Sequence, residues 1–510
     1  ILVIMREVAD GGEFDKIIID EYEKIPIEEG KKAYLFISCF FRFRQSMDRF
    51  LLKNIVAPDV SWKRFFEDIV GPSTEEIIIE EYEPITGKGS FRSRHSAIAT
   101  VLTDAVIGNK EEILNHLIEI INVMNPSIKE HIKVARDLTT NSEIRKYFED
   151  YRLLFKLLNA IVKKYPEDAV LIQHLGMLKM NFKYYNEALD IFERALQLEP
   201  NNPAVLHSMG ILYKRRALEE NIEAMENLYA TRAEELFVKC RNISNTEHGY
   251  SSHAVLFLER AKKAKDKDKR REYLARALEV ITEGENSLSP DDVNKLPGIK
   301  GGVLKELGNI KAARDIYKTQ AKERPDSEVL IRWGWLETSL GNYPKALDLA
   351  LEAERIDPHN PRAIRLYLKC LNKLGYISDP NWLKVIEKAD EVLKTDHYAK
   401  LLLGAAYWCS GKEHESNRLF KNARRLNPNE EGFDIIRVNV FEGKKKKKFR
   451  GHIQTVRTHD GFICFVEIGQ IARYRRTFGY DKLKQGDEIL SELGFNYYGA
   501  QAINLEIIYE

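Results

Sequence analysis

Between Trp333 and Pro358 the small residues Gly334, Ala346 and Ala353 and the closing Pro358 stand 12, 7 and 5 residues apart. The same intervals separate Gly176, Ala188, Ala195 and Pro200, and again Gly404, Ser416, Ala423 and Pro428, with serine in place of the first alanine. A unit of about 34 residues with small side chains at fixed offsets reads as two closely approaching helices, the second ended by the proline. The dipeptide Met209-Gly210 follows Leu175-Gly176 by 34 residues, Leu374-Gly375 follows Leu340-Gly341 by 34, and Leu307-Gly308 precedes that one by 33. One helix pair cannot cover its own apolar face, so neighbours must stack, and a stack of this kind offers a surface for binding rather than chemistry.

These offsets resemble the tetratricopeptide (TPR) repeat. The resemblance implies a mainly α chain whose solenoid, over residues 168–440, takes a protein or peptide ligand in its groove. The register is lost over about 218–290, where the run from Lys262 to Glu272 reads as a solvated connection, and Ser289-Pro290 marks a break before regular repeats resume. Residues 109–167 read as a helical linker. Aromatic residues such as Trp333, Trp335, Tyr367 and Trp408 recur at helical spacing and read mostly as repeat core.

At 510 residues the chain is long enough for about three domains. A net charge of +1 excludes a globally basic nucleic-acid binder, so any such role must sit in a local patch. The five cysteines, Cys39, Cys240, Cys370, Cys409 and Cys464, form no C-x-x-C pair, and the expected setting is the reducing cytoplasm. No apolar run reaches the ~18 residues of a membrane span. The first residue is Ile, so the chain is expected to continue a longer one whose N-terminal domain is out of view.

Helical spacing predicts helices over Glu13–Ile25, Glu28–Phe40, Gln45–Val56 and Ser61–Val70, then two strands, Ile77 to Tyr82 and Phe91 to Arg94. Short helices followed by a two-stranded wing read as a winged helix over residues 1–108. The segments LVIMREVADGGEF, DEYEKI, YLFISCFFRF and FRSRH resemble the region after the nucleotide-binding core of STAND-type P-loop NTPases, signalling ATPases of immunity. The resemblance implies ATP or ADP held by that upstream core, with no cofactor in this chain itself, and Arg94 and His95 as nucleotide-sensing residues. The alternative is that Arg92, Arg94 and His95 simply decorate a strand end and a helix start. The core is not in this sequence: Gly87-Lys88-Gly89-Ser90 half matches a phosphate-binding loop, but Tyr82 stands where its first glycine is needed and Gly89 where Ser or Thr is needed. A glycine turn in the wing is the simpler reading.

After Gly443 the pattern changes. The lysines Lys444, Lys445, Lys446, Lys447 and Lys448 precede short alternating stretches split by turns at Asp460-Gly461 and Gln485-Gly486-Asp487, which predicts a small five-stranded all-β barrel over residues 443–510. Alternation turns Phe462 and Cys464 outward and Ile463 and Phe465 inward. GHIQTV, DGFICF, LKQGDEI and FNYYGAQAINL resemble a cold-shock-like OB domain. That implies single-stranded nucleic acid on Lys444 to Lys448, Arg450, Phe462, Arg473 and Tyr474. Thr455 and Cys464 stand where such domains carry aromatic side chains, which leaves binding driven by charge. The other reading is a structural cap on the open end of the helix array.

No H-e-x-x-H, G-x-S-x-G or Cys–His grouping with metal-ligand spacing is present, so no catalytic or metal residue is expected. The layout resembles the C-terminal part of STAND-type defence proteins, animal antiviral ones included. By that resemblance the chain is a regulator and sensor that holds an upstream ATPase closed and oligomerises when released. The alternative is a free-standing TPR adaptor that binds RNA or single-stranded DNA through its barrel.

Overall fold

The computed structural model describes residues 11–71, 77–82, 89–376, 379–427, 436–442, 445–475 and 483–508. The chain divides into two compact units, Ile1–Leu256 and Phe257–Glu510.

The first unit opens with helices α1 (Gly11–Glu23) and α2 (Glu28–Phe41), the short strand β1 (Met47–Asp48), and helix α3 (Arg49–Val56). A single turn, α4 (Trp62–Arg64), runs on into a π-turn, Phe65–Ile69, and strands β2 (Ile78–Tyr82) and β3 (Gly89–Ser93) follow. The sheet has the order β1-β3-β2, with Met47 opposite Phe91 and Ile78 opposite Ser93. The helix expected from Gln45 therefore starts later. Asp48 ends the strand and caps α3 by accepting from the Leu51 N–H at 2.8 Å, and a strand of two residues has no period to betray it. Phe36, Phe40, Phe43, Phe65 and Phe91 fill the core beneath, each fully buried.

Helices α5 (Ser96–Val106), α6 (Lys110–Val123), α7 (Lys129–Thr140), α8 (Ser142–Tyr147) and α9 (Tyr151–Lys164) extend that core. Helix pairs then begin: α10 (Ala169–Asn181) with α11 (Tyr185–Leu198), and α12 (Pro203–Glu219) with α13 (Glu223–Ile243). The segment in which the repeat loses register is helical too. α14 (Glu247–Lys263) carries the boundary between the units, and α15 (Lys267–Ser287), like α13, has 21 residues, too long for a 34-residue period.

In the second unit the regular pairs are α16 (Leu296–Glu306) with α17 (Ile310–Glu323), α18 (Ser327–Ser339) with α19 (Tyr343–Ile356), α20 (Pro361–Leu374) with α21 (Pro380–Val392), and α22 (His397–Cys409) with α23 (Glu413–Leu426). Asp326, Asn360 and Asp396 cap the first helices of three of these pairs through their side-chain oxygens.

The small residues do what their spacing demands. Ala188, Ala195, Ala346, Ala353 and Ala423 are completely buried. A Cβ on Gly176 would lie 2.5 Å from the Phe192 ring, and one on Gly210 would lie 2.6 Å from Phe237. Ser416 replaces an alanine without leaving a buried hydroxyl unmet, because its Oγ donates to the Gly404 carbonyl at 2.8 Å. The Leu-Gly and Met-Gly dipeptides that repeat in the sequence prove to be two different things. Gly176 and Gly210 lie inside helices, whereas Gly308, Gly341 and Gly375 sit in turns between helices with φ of +83°, +75° and +80°. Gly176→Ala is accordingly expected to cost about 1–3 kcal/mol through overpacking against Phe192. Gly308→Ala meets nothing within 4 Å and pays only about 1–2 kcal/mol for the left-handed backbone. Urea melts of the two variants check the ranking.

After β4 (Val438–Asn439) and the small hairpin of β5 (Phe441–Glu442) and β6 (Lys445–Lys446) come the barrel strands β7 (Lys448–Val456), β8 (Asp460–Phe465), β9 (Gln470–Arg475), β10 (Glu488–Asn496) and β11 (Gly499–Ile507). β7 pairs with β8, β8 with β9, β9 with β11 in parallel, β11 with β10, and β10 with β7, which closes a five-stranded barrel; β4 adds to β10 from outside. Its burial alternates as the sequence predicts along β8, with Ile463 and Phe465 fully buried and Phe462 and Cys464 only partly.

Candidate functional site

The barrel does not stand apart from the helices before it. Trp408 of α22 is 3% exposed and meets Phe495 of β10 edge-on at 5.5 Å and Phe465 of β8 at 6.3 Å, while Phe420 of α23 stacks on Phe495 at 6.0 Å. The Tyr497 hydroxyl bonds to Nδ1 of His397 at 2.5 Å, Arg424 lies over the Tyr498 ring at 5.1 Å, and the Gln470 amide donates to the Gly411 carbonyl at 3.4 Å. One apolar core runs from Ala346 through α22 and α23 into the barrel. The barrel is thus built onto the last helix pair.

Its predicted nucleic-acid residues are placed unevenly. Lys444 lies outside the described residues. Lys446 is paired with Glu492 at 3.1 Å, Lys447 with Glu467 at 3.5 Å, and Lys448 with both oxygens of Glu506 at 2.6 and 2.7 Å. Arg473 donates to Asp460 across the β8–β9 ladder at 2.6 Å. Lys445 and Arg450 are exposed. Phe462 is half-buried, and the Arg457 guanidinium sits 5.1 Å over its ring. Tyr474 corrects the expectation: the pleat turns it into the barrel, where it is fully buried against Gly461 and its hydroxyl donates to the Thr455 carbonyl at 3.4 Å. It offers no stacking face, and its inward register could have been read from the alternation of β9.

In the first unit Arg94 and His95 join β3 to α5. His95 is the N-cap of α5, its Nδ1 accepting the Ala97 N–H at 3.1 Å, and in the neutral ring that bond puts the hydrogen on Nε2. Arg94 is ion-paired with Glu21 of α1. Beside it, burial pushes the Tyr34 hydroxyl up to about 12 against the pull of the Arg94 charge. Neither residue lines the largest cleft described, about 1280 Å³, which lies among α3, the sheet and α7. Its walls carry Phe50, Trp62 and Tyr82, exposed by 42%, 45% and 58%, and the buried His131 paired with the partly exposed Asp48. Nothing in the spacing of the sequence signals this cleft, because its residues come from segments far apart in the chain.

On the helix array several polar groups also meet across neighbouring first helices, beside the apolar core they share. Gln173 of α10 donates to Ser208 of α12 at 2.7 Å, Arg362 of α20 to Glu328 of α18 at 2.5 and 2.6 Å, and Asn372 of α20 to the Tyr398 hydroxyl of α22 at 2.8 Å. Lys369 of α20 lies 4.7 Å over the ring of Trp335 of α18. Burial pushes the thiols of Cys39, Cys370 and Cys409 up to about 12, far from a thiolate nucleophile at neutral pH. Among the described residues no group of three or more His, Cys, Asp or Glu side chains could hold a metal ion, and no helix is long and apolar enough to cross a membrane.

Comparison with known proteins gives the array a name. A family model described as tetratricopeptide repeat matches residues 169–202, the pair α10 and α11. No curated protein matches the chain. Among solved structures, a thermophilic TPR protein of Thermus thermophilus is 21% identical over 40% of this chain and 99% of its own, with a TM-score of 0.34. A tetratricopeptide repeat protein of Parabacteroides merdae is 14% identical over 53% of this chain and 96% of its own, with a TM-score of 0.36. The chain carries TPR repeats and a C-terminal five-stranded β-barrel.

Proposed function

We propose that this chain is the sensing and regulatory arm of a STAND-type NTPase, and that its TPR pairs bind a segment of a partner protein to control an ATPase core. The observation that supports the binding half is the row of first helices α18, α20 and α22, which carry Trp335, Lys369 and Arg362 at the margin of the apolar core they share. The regulatory half rests on the sequence resemblance and on the element order from α2 to β3, helix, strand, helix, helix, strand, strand, which is that of a winged helix. The barrel enters this reading as the closing element of the array. Three of its described lysines are paired with glutamates and Tyr474 is buried, which leaves little for a single strand to stack on. The other reading is the adaptor that holds nucleic acid on Lys445, Arg450 and Phe462.

If His95 senses nucleotide, its Nε2–H donates to a phosphate oxygen of ADP. The protein as its gene encodes it then co-purifies with ADP, measured by acid extraction and chromatography. His95→Asp keeps a good N-cap for α5 but carries no donor when ionised, so ADP retention is expected to fall about tenfold or more, the value of a hydrogen bond to a charged group. Unchanged retention returns His95 to the cap alone. Absence of both bound nucleotide and ATP turnover in the natural protein overturns the regulatory half and leaves the adaptor.

A further inference from the structure

α20 has an unusual open face. Of its residues, Ala363, Ile364, Leu366, Tyr367, Leu368, Cys370, Leu371 and Asn372 are buried. Apart from its terminal residues Pro361 and Leu374, the positions left in contact with solvent are Arg362, Arg365, Lys369 and Lys373. They are spaced as one straight stripe along the helix, all of one sign, although like charges three or four apart on a helix repel. Folding does not ask for this, because the buried face already fixes the helix and mixed charges would keep it just as soluble. Two carboxylates answer the stripe. Glu328 takes Arg362 at 2.5 Å and also Arg332 at 2.9 Å, while Asp396 takes Arg365 at 2.8 Å through Oδ2 and caps α22 through Oδ1. Lys373 is exposed, and Lys369 is held half-buried against the Trp335 ring.

We propose that this stripe is the seat of an acidic peptide segment, with side-chain carboxylates meeting Lys369 and Lys373 and exchanging with Glu328 and Asp396 at Arg362 and Arg365. The proposal rests on the partner-binding reading above and names the chemistry of the partner. The charges favour an anionic occupant. The stripe from residue 362 to 373 is about 16 Å long, the reach of about five residues of extended chain. A polyanion with bases would need open ring faces, and of the rings beside the stripe Trp335 already has Lys369 over it and Tyr376 is stacked on Trp382.

The test is fluorescence anisotropy on the whole chain with three labelled probes: a dodecapeptide of repeated Glu-Glu-Asp-Gly, its Gln-Gln-Asn-Gly counterpart, and twelve-residue oligothymidylate. The acidic peptide is expected to bind tightest and to weaken steeply as salt rises. Lys369→Gln together with Lys373→Gln weakens it by about tenfold per lysine, Lys369→Arg retains it, and Lys445→Gln together with Lys448→Gln on the barrel leaves it unchanged. Lys373, Lys445 and Lys448 are exposed and Lys369 is half-buried with its stem kept in the Gln variant, so melting curves should stay within a few degrees and separate lost binding from lost fold. Equal loss from the barrel pair, tighter binding of oligothymidylate, or no binding of the acidic peptide each overturns the inference. Basic and apolar peptides run on the same protein decide the wider reading: if one of them binds, only the acidic specificity falls, and if none does, the array falls with it as a peptide site.

Discussion

Trp408→Ala should cost about 3–5 kcal/mol of unfolding free energy, the range for removing a buried indole. It should unsettle the barrel as well as α22. The indole is 3% exposed and touches Phe495 and Phe465, so the void opens at the seam between helix and strand. Guanidinium melts followed by far-ultraviolet circular dichroism and by fluorescence should shift together. In a double-mutant cycle Trp408→Ala and Phe495→Ala should couple by about 0.5–3 kcal/mol. A loss below about 1 kcal/mol, or a barrel that melts at its original midpoint, would show the barrel to be a separate domain.

A second large effect is expected at Glu337 of α18. Its carboxylate is buried, and it accepts from Arg314 at 2.7 and 2.8 Å, from the Trp333 indole at 2.9 Å and from Asn342 at 2.9 Å. Burial alone would push this carboxyl up, but the donors of Arg314, Trp333 and Asn342 outweigh it and hold the group below its ordinary value. Glu337→Ala strands those donors and should cost about 3–5 kcal/mol, nearer the lower end because Arg314 can still reach water. The pH dependence follows from the direction of the shift. A carboxyl that is more acidic in the folded chain contributes stability above its unfolded value of about 4.3 and loses it as pH falls through the lower folded value. The gap between wild type and Glu337→Gln should therefore be full at pH 7 and shrink below about pH 4. A gap that stays constant between pH 7 and pH 3 would refute the charge-based account.

How much of this was legible from residues alone depended on the kind of signal. Gly176 and Ala188 announce close helix contact because no larger side chain fits beside Phe192, and such steric demands survive any context. Ile463 and Phe465 were readable as inward for the same reason, a period of two that only a strand produces. The helices α13 to α15 were not, since their greater length breaks the period on which the repeat is recognised. Tyr474 was misassigned by chemistry: a tyrosine between arginines looks like a stacking platform until its register places it inside. The seam at Trp408 and Phe495 had no signal, because residues 87 apart in sequence meet only through the packing of two whole elements. The stripe on α20 was written in plain spacing, yet which face of that helix stays open is decided by its neighbours.

The lysine run has a meaning besides charge for a ligand. A closed barrel leaves β7 to β11 with partners on both sides, and among the described residues of this C-terminal part the strands open on one side, β4, β5 and β6, are each two residues long. One of these is Lys445–Lys446, both exposed. A further strand arriving at such an edge finds almost no ladder to join and two ammonium groups in its path. The part of the chain richest in β structure is in this way kept from templating its own aggregation.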